Sequence, residues 1–84
     1  MNNRHRKTLG AVFAEPTKSN IAWADIEALL VAAGCKVIEG SGSRVRFDHE
    51  NGTFVAHRPH PRKETKQYSV KFVRTFLLEI GVRP

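Results

Sequence analysis

The feature that most constrains the fold of this chain is an Asn51-Gly52 pair inside residues 40–61, where apolar and polar residues alternate on both sides of it. Asn-Gly between alternating segments is the strongest short-range signal for a β-hairpin, because both central residues of a type I′ turn need a positive φ angle. The sequence therefore predicts two antiparallel strands joined at this pair.

The turn also predicts which residues face each other. A Glu50–Thr53 pair beside the turn would set Asp48 opposite Val55, Arg46 opposite His57 and Arg44 near Pro59. Since side chains alternate along a strand, one face should be apolar, with Val45, Phe47, Phe54 and Ala56. The other face would carry cations and an imidazole, which are groups suited to holding and cutting a phosphodiester.

Apolar spacing and glycine positions predict the remaining elements. Pro16 limits the first helix, whereas Gly34 and Gly81 should end the two longer ones. In chain order we expect a short helix within residues 4–14, a helix over 22–33, strands over 36–39, 43–48 and 53–57, and a helix over about 68–80. This order predicts an α+β fold: a three-stranded antiparallel sheet with two long helices packed on one face, plus a short N-terminal helix.

The charge balance favours a polyanionic partner. The 84 residues include 14 Lys and Arg against 8 acidic residues, a net charge of +6. The basic residues are concentrated in the last third of the chain, at Arg58, Arg62, Lys63, Lys66, Lys71 and Arg74. Such a patch is typical of nucleic-acid binding; the alternative is an ordinary solvated basic surface.

Chain length and cysteine content indicate one small domain in a reducing compartment. We expect a single domain over residues 1–84, with an N-terminal extension over 1–20 and a core over 21–84. The single cysteine, Cys35, excludes an internal disulfide and is expected to be a buried structural thiol. The basic start, Met1 to Lys7, is followed by no apolar stretch or small-residue cleavage site, so a cytoplasmic location is expected.

Neither a metal nor a cofactor is expected. The histidines and Cys35 lack the paired spacing of strong zinc sites; His57-x-x-His60 is the nearest approach and is weak. Gly40 and Gly42 precede a strand instead of joining a strand to a helix, so they do not form a phosphate-binding loop.

Several short motifs, in this order and spacing, resemble the HicA family, the small toxins of bacterial type II HicAB toxin–antitoxin modules. The similarity covers about residues 23–82. The matching features are a helix ending in Ala33-Gly34, Gly42-Ser43 opening a strand that ends at Phe47, a strand ending in a histidine, a basic loop, and Val73-Arg74-Thr75-Phe76-Leu77 before Gly81-Val82.

The resemblance implies a fold like a double-stranded RNA-binding domain, metal-independent cleavage of mRNA, and neutralisation by a HicB antitoxin. The family pattern has Gly-Ser-His, with that histidine taken as catalytic, where this chain has Gly42-Ser43-Arg44. Two interpretations stay open. Either another histidine serves, or this chain is a non-catalytic RNA- or DNA-binding module, such as a repressor component.

RNA cleavage of this kind needs a base for the ribose 2′-OH, cations for the phosphate and an acid for the leaving oxygen. His57 is the first candidate base, since a neighbouring Arg46 would favour the neutral imidazole; it could instead only end the strand or contact RNA passively. His60, between two prolines, is the second candidate, although such a loop is more often purely structural. The expected RNA-binding residues are Arg44, Arg46, Arg58, Arg62, Lys63, Lys66 and Lys71.

Overall fold

The computed structural model describes all residues, Met1–Pro84, as three helices and a three-stranded antiparallel sheet. The elements are α1 (Asn3–Val12), α2 (Trp23–Ala32), β1 (Lys36–Glu39), β2 (Arg44–His49), β3 (Gly52–His57) and α3 (Gln67–Glu79). The strands lie in the order β1-β2-β3, so chain neighbours are also sheet neighbours. The α+β fold and the order of elements are as predicted. None of the helices is long and apolar enough to cross a membrane.

Two glycines end helices in the left-handed conformation, with φ of 101° at Gly34 and 85° at Gly81. In both cases the amides of the glycine and of the next residue donate to carbonyls of the helix's last turn, which is the Schellman arrangement. The first of these ends turns the chain so that β1 starts at Lys36. Cys35 lies between Gly34 and Lys36 and is buried, as predicted. Burial, with a smaller contribution from Asp48, raises the pKa of its thiol.

The N-terminal helix is as long as α2, with ten residues each. The Asn2 side chain caps it by accepting a hydrogen bond from the amide of His5 at 2.9 Å, which satisfies one of the free amides at a helix start. Leu9 and Val12 are buried in the common core, and α1 contacts both α2 and α3. Residues 1–20, treated above as an extension, therefore contribute to the packing.

The register of the β2–β3 hairpin differs from the prediction by two residues. His49 pairs with Gly52, so that Glu50 and Asn51 form the turn, and neither Asn51 nor Gly52 has a positive φ angle. A type I′ turn is thereby excluded. The observed pairs on the exposed face are Asp48 with Thr53, Arg46 with Val55, and Arg44 with His57.

Aromatic packing explains this register. Phe47 faces Phe54 directly across the strands, their ring centroids 6.2 Å apart, and Phe54 stacks on Phe76 of α3 at 5.3 Å. Directly opposed aromatic pairs stabilise a sheet, and the predicted register would have separated these two. A Cβ at position 52 would lie 2.5 Å from a carboxylate oxygen of Glu79, so a larger residue there would require the Glu79 side chain to move.

The apolar face of the hairpin is the predicted one, because a two-residue shift preserves the alternation of side chains. Val45 and Phe47 are fully buried under the helices, and Phe54 and Ala56 pack against the same core. Trp23 of α2 meets Phe47 edge to face at 6.3 Å. The helices therefore cover one face of the sheet, and the face with Arg44, Arg46 and His57 is left exposed.

Candidate nucleic-acid interface

An open groove of about 460 Å³ lies where the end of β3, the loop over residues 58–66 and the start of α3 meet. Both candidate catalytic residues, His57 and His60, line this groove. Three of the predicted RNA-binding residues also line it: Arg58, Arg62 and Lys66. Tyr68 and Ser69, from the first turn of α3, complete one wall. The groove therefore brings together the end of β3, the proline-containing loop and the start of α3.

His57 is the last residue of β3 and is exposed. Its Nδ1 atom lies 3.3 Å from the hydroxyl oxygen of Ser43. The register places Arg44 directly opposite it, in place of the predicted Arg46. The ladder continues past the strand end, because the amide of Arg58 donates to the Ser43 carbonyl at 2.9 Å. The imidazole is thus attached to a hydrogen-bonded strand and oriented by a neighbouring hydroxyl.

The loop that carries His60 is held against the start of α2. The amide of Trp23 donates to the Lys63 carbonyl at 2.9 Å, and the amide of Thr65 donates to the Ile21 carbonyl at 2.8 Å. These bonds flank a bridge between Ala22 and Glu64. The C-terminal half of the loop, over residues 63–65, is therefore anchored to the segment that leads into α2.

Arg58 is engaged by two carboxylates. Its Nε donates to Glu27 of α2 at 2.7 Å and its Nη1 donates to Glu39 of β1 at 2.6 Å, while Nη2 contacts both at 3.2 and 2.9 Å. Glu27 also accepts a hydrogen bond from the indole of Trp23. We call these four residues (Trp23, Glu27, Glu39 and Arg58) the Arg58 clamp. Because its guanidinium is bonded to both carboxylates, Arg58 links α2 to the sheet and is not a free cation.

Side-chain alternation explains the direction of Arg58. His57 lies on the exposed face, so the next residue points to the helix-covered face, where Glu39 also lies because it pairs with Val45. Hydrogen bonding to Arg58 lowers the pKa of the Glu39 carboxyl, and the bonds to Glu39 and Glu27 raise the pKa of the guanidinium. Extending the alternation by one residue would have revealed the direction of Arg58, although not the identity of its partners.

The two arginines of β2 do not line the groove itself; they border a shallow depression on the exposed sheet face that also includes Val55. Arg46 forms a bidentate pair with Asp48, its Nε and Nη2 donating at 2.9 and 3.1 Å. Arg44 has no acidic partner. The two predicted phosphate ligands are therefore not equivalent, since Arg46 would have to leave Asp48 to bind an anion with its full charge.

Some residues of the basic cluster in the last third of the chain form ion pairs, and the others have no acidic partner. Arg74 donates to the backbone of Val12 and Ala14 and pairs with Glu15 at 2.6 Å, so it joins α3 to the end of α1. The cations without an acidic partner are Arg62, Lys63, Lys66 and Lys71. Lys63 lines a neighbouring hollow against Trp23, and Lys71 lies on α3 outside the groove. Within this cluster, Arg62 and Lys66 are the free cations that share the groove with the two histidines.

No three His, Cys, Asp or Glu side chains come close enough together to hold a metal ion. Sequence reasoning overlooked three kinds of residue at this site: Ser43 beside His57, the two carboxylates around Arg58, and Tyr68 in the groove wall. An aromatic residue in the polar first turn of α3 is the one local signal that was available for Tyr68.

Comparison with known proteins identifies the family. The sequence model of the family described as "HicA toxin of bacterial toxin-antitoxin" matches residues 23–78, which include α2, the whole sheet, the groove and most of α3. No curated protein and no solved structure matches the chain. Because the family match covers well over half of the chain and includes every residue of the groove, this protein belongs to the HicA toxin family of bacterial toxin–antitoxin systems.

Proposed function

We propose that the chain is an mRNA endoribonuclease toxin that acts in the cytoplasm and is neutralised by a HicB-type antitoxin. His57 is the general base, His60 the general acid, and the free cations around the groove bind the RNA backbone. The observation that carries the proposal is the position of His57, which lies directly across the hairpin from Arg44 and in the same groove as His60.

The cross-strand pair offers a replacement for the family histidine. Arg44 occupies the position where the family pattern has that residue, and directly opposed positions of an antiparallel pair have Cβ atoms about 4.5–5.5 Å apart. A side chain as long as histidine reaches the same region from either position. This supports His57 as the residue that takes over proton transfer, while Arg44 adds a fixed positive charge beside it.

The Ser43 contact is compatible with a base. If Nδ1–H donates to the Ser43 hydroxyl, the Nε2 atom of His57 is the free proton acceptor. Nε2 then takes the proton of a ribose 2′-OH, the 2′ oxygen bonds to the adjacent phosphorus, and the bond from phosphorus to the 5′ oxygen breaks. His60 gives a proton to that leaving oxygen. The products are a 2′,3′-cyclic phosphate and a 5′-hydroxyl, and the two proton transfers require no metal or cofactor.

Charge developing on the phosphate needs nearby cations. Arg62 and Lys66 line the groove without acidic partners, and Arg44 is free on the adjoining strand end. The first turn of α3 contains no acidic residue, so the positive end of its dipole is also uncompensated there. Lys63 and Lys71 lie further out and add sequence-independent attraction to the RNA backbone.

The proposal is tested by expressing the chain alone and together with its neighbouring antitoxin gene. Induction alone should arrest growth and deplete mRNA, co-expression should restore growth, and His57→Ala should permit growth without the antitoxin. Purified protein should cleave RNA equally well with and without EDTA; loss of cleavage in EDTA would refute a metal-free reaction.

A non-catalytic nucleic-acid-binding module is the second candidate, because Arg44 stands in the place of the family histidine. The same experiment separates the two. Unhindered growth at good soluble yield, together with RNA or DNA binding and no cleavage, would support the binding module.

A further inference from the structure

We propose that Tyr68 is a stacking platform for an unpaired base, so that the groove takes a single-stranded segment of RNA and not a duplex. This inference rests on the proposed function, since it specifies the form of the RNA at the same site. It adds a binding residue that carries no charge and that proton-transfer chemistry does not require.

Tyr68 lies on an exposed side of α3, so packing in the hydrophobic core does not account for this aromatic residue. The buried side of α3 is formed by Val70, Val73, Phe76 and Leu77. Tyr68 and Phe72 project from the helix elsewhere and are 61% and 60% exposed. Exposing two large aromatic residues one turn apart forgoes the free energy gained by burying them, and adjacent exposed aromatic side chains are typical of a binding surface.

The two rings form an ordered pair. Their centroids lie 6.4 Å apart with an interplanar angle of 83°, an edge-to-face arrangement that is favourable for aromatic side chains. Only Tyr68 of the two lines the groove. Phe72 therefore contacts the Tyr68 ring edge to face from outside the groove.

Cations border the platform. The Lys66 ammonium lies 6.0 Å from the centre of the Tyr68 ring, and Arg62 lies in the same groove. A nucleotide offers a flat aromatic base and an anionic phosphate in one unit, and proteins bind single strands by combining such rings with a basic channel. The groove presents both groups side by side, with His57 and His60 on its other walls.

The same observations favour RNA over a protein partner as the occupant. Glu64 is the only acidic residue of the groove wall, whereas Arg62 and Lys66 line it as cations without an acidic partner. The charge of Arg58 is already met by Glu27 and Glu39, so these two free cations make the site complementary to a polyanion. In a duplex the base faces are stacked on each other and cannot reach Tyr68, whereas an unpaired segment exposes them. The chemistry of the site therefore selects loops and single-stranded regions of mRNA.

The test compares binding of three labelled probes to the full chain: a single-stranded RNA with 2′-O-methyl groups, the same strand with abasic sites, and its duplex. The methyl groups prevent cleavage, so affinity is measured without turnover. Tyr68→Ala should weaken binding of the single strand on the order of tenfold, the usual contribution of one stacked base. Tyr68→Phe should retain the affinity, because the ring is kept, and binding of the abasic strand should depend little on Tyr68.

Phe72→Ala is the matched control, an equally exposed aromatic residue on the same helix, and should cost less affinity than Tyr68→Ala. Equal weakening of the abasic strand, an unchanged affinity in Tyr68→Ala, or preferred binding of the duplex would each overturn the inference. So would loss of antitoxin rescue in Tyr68→Ala with normal RNA affinity, which would identify a protein-docking surface. If the wild-type chain bound none of the probes, the proposed function itself would fail, whereas binding that ignores Tyr68 would remove the platform alone.

Discussion

Arg44 and His57 are directly opposed on the neighbouring strands β2 and β3, and the hydroxyl of Ser43, the residue before Arg44, lies 3.3 Å from Nδ1 of His57. The resemblance to the family implies a histidine at position 44; in this chain Arg44 stands there and faces the imidazole of His57. Because both positions lie on the same exposed sheet face, an imidazole and a guanidinium are side by side at one place on the surface.

His57→Ala should reduce the rate of mRNA cleavage by about 10² to 10⁴, the usual contribution of positioned proton transfer. Affinity for uncleavable RNA should change little, because His57 contributes no permanent charge. Single-turnover cleavage and fluorescence binding assays measure the two effects. His49→Ala, at the hairpin end and outside the groove, is the matched control. A full cleavage rate in His57→Ala would transfer the role of base to His60.

Arg44→His introduced into the His57→Ala variant should recover part of the lost cleavage, because the new imidazole would enter the same region from the opposing strand. Arg46→His in the same background is the control: it faces Val55, two residues further along the strand, and should not rescue. Rescue by both variants, or by neither, would contradict the cross-strand replacement. The measurement is cleavage of one RNA substrate by the three variants.

Glu39→Gln should destabilise the chain near neutral pH and lose this effect in acid. Hydrogen bonding to Arg58 lowers the pKa of the Glu39 carboxyl from its ordinary value of 4.5. A carboxyl with a lowered folded-state pKa stabilises the fold above its unfolded-state pKa and loses that contribution as pH falls through the folded-state value. The urea midpoints of variant and wild type should therefore converge at pH values below the folded-state pKa of Glu39.

The comparison for the Arg58 clamp is Glu50→Gln, at an exposed turn carboxylate that forms no ion pair. Its urea midpoint should follow the wild type throughout the pH series. A constant gap between Glu39→Gln and the wild type at every pH would show that packing, and not the charge on Glu39, determines the difference.

Arg44→Ala with Arg46→Ala should slow association with the antitoxin at low salt and make the rate less dependent on salt. A neutralising partner that covers the exposed sheet face would meet these cations with acidic groups, and complementary charge mainly raises association rates. Stopped-flow measurements over a salt series give the rates. Arg6→Ala with Lys7→Ala removes the same charge from α1. Equal slowing by both pairs would indicate net charge only, and unchanged rates would place the antitoxin on the helical side.

The sequence by itself determined the order of the elements, the ends of the helices and the two faces of the hairpin. These follow from local rules: glycine permits the left-handed ends at Gly34 and Gly81, and the two-residue period sets which side chains are buried. The same period survived the wrong register, so Arg44, Arg46 and His57 were correctly placed on one exposed face.

Only the tertiary structure decided the partner of each residue on that face and the role of Arg58. The stacked rings of Phe47, Phe54 and Phe76 select the register from contacts between β2, β3 and α3. The carboxylates that hold Arg58 lie 31 and 19 residues before it, a separation at which no local pattern links them. The groove likewise exists only because the loop after β3 is bonded to the start of α2, which brings His60 and Tyr68 together with His57.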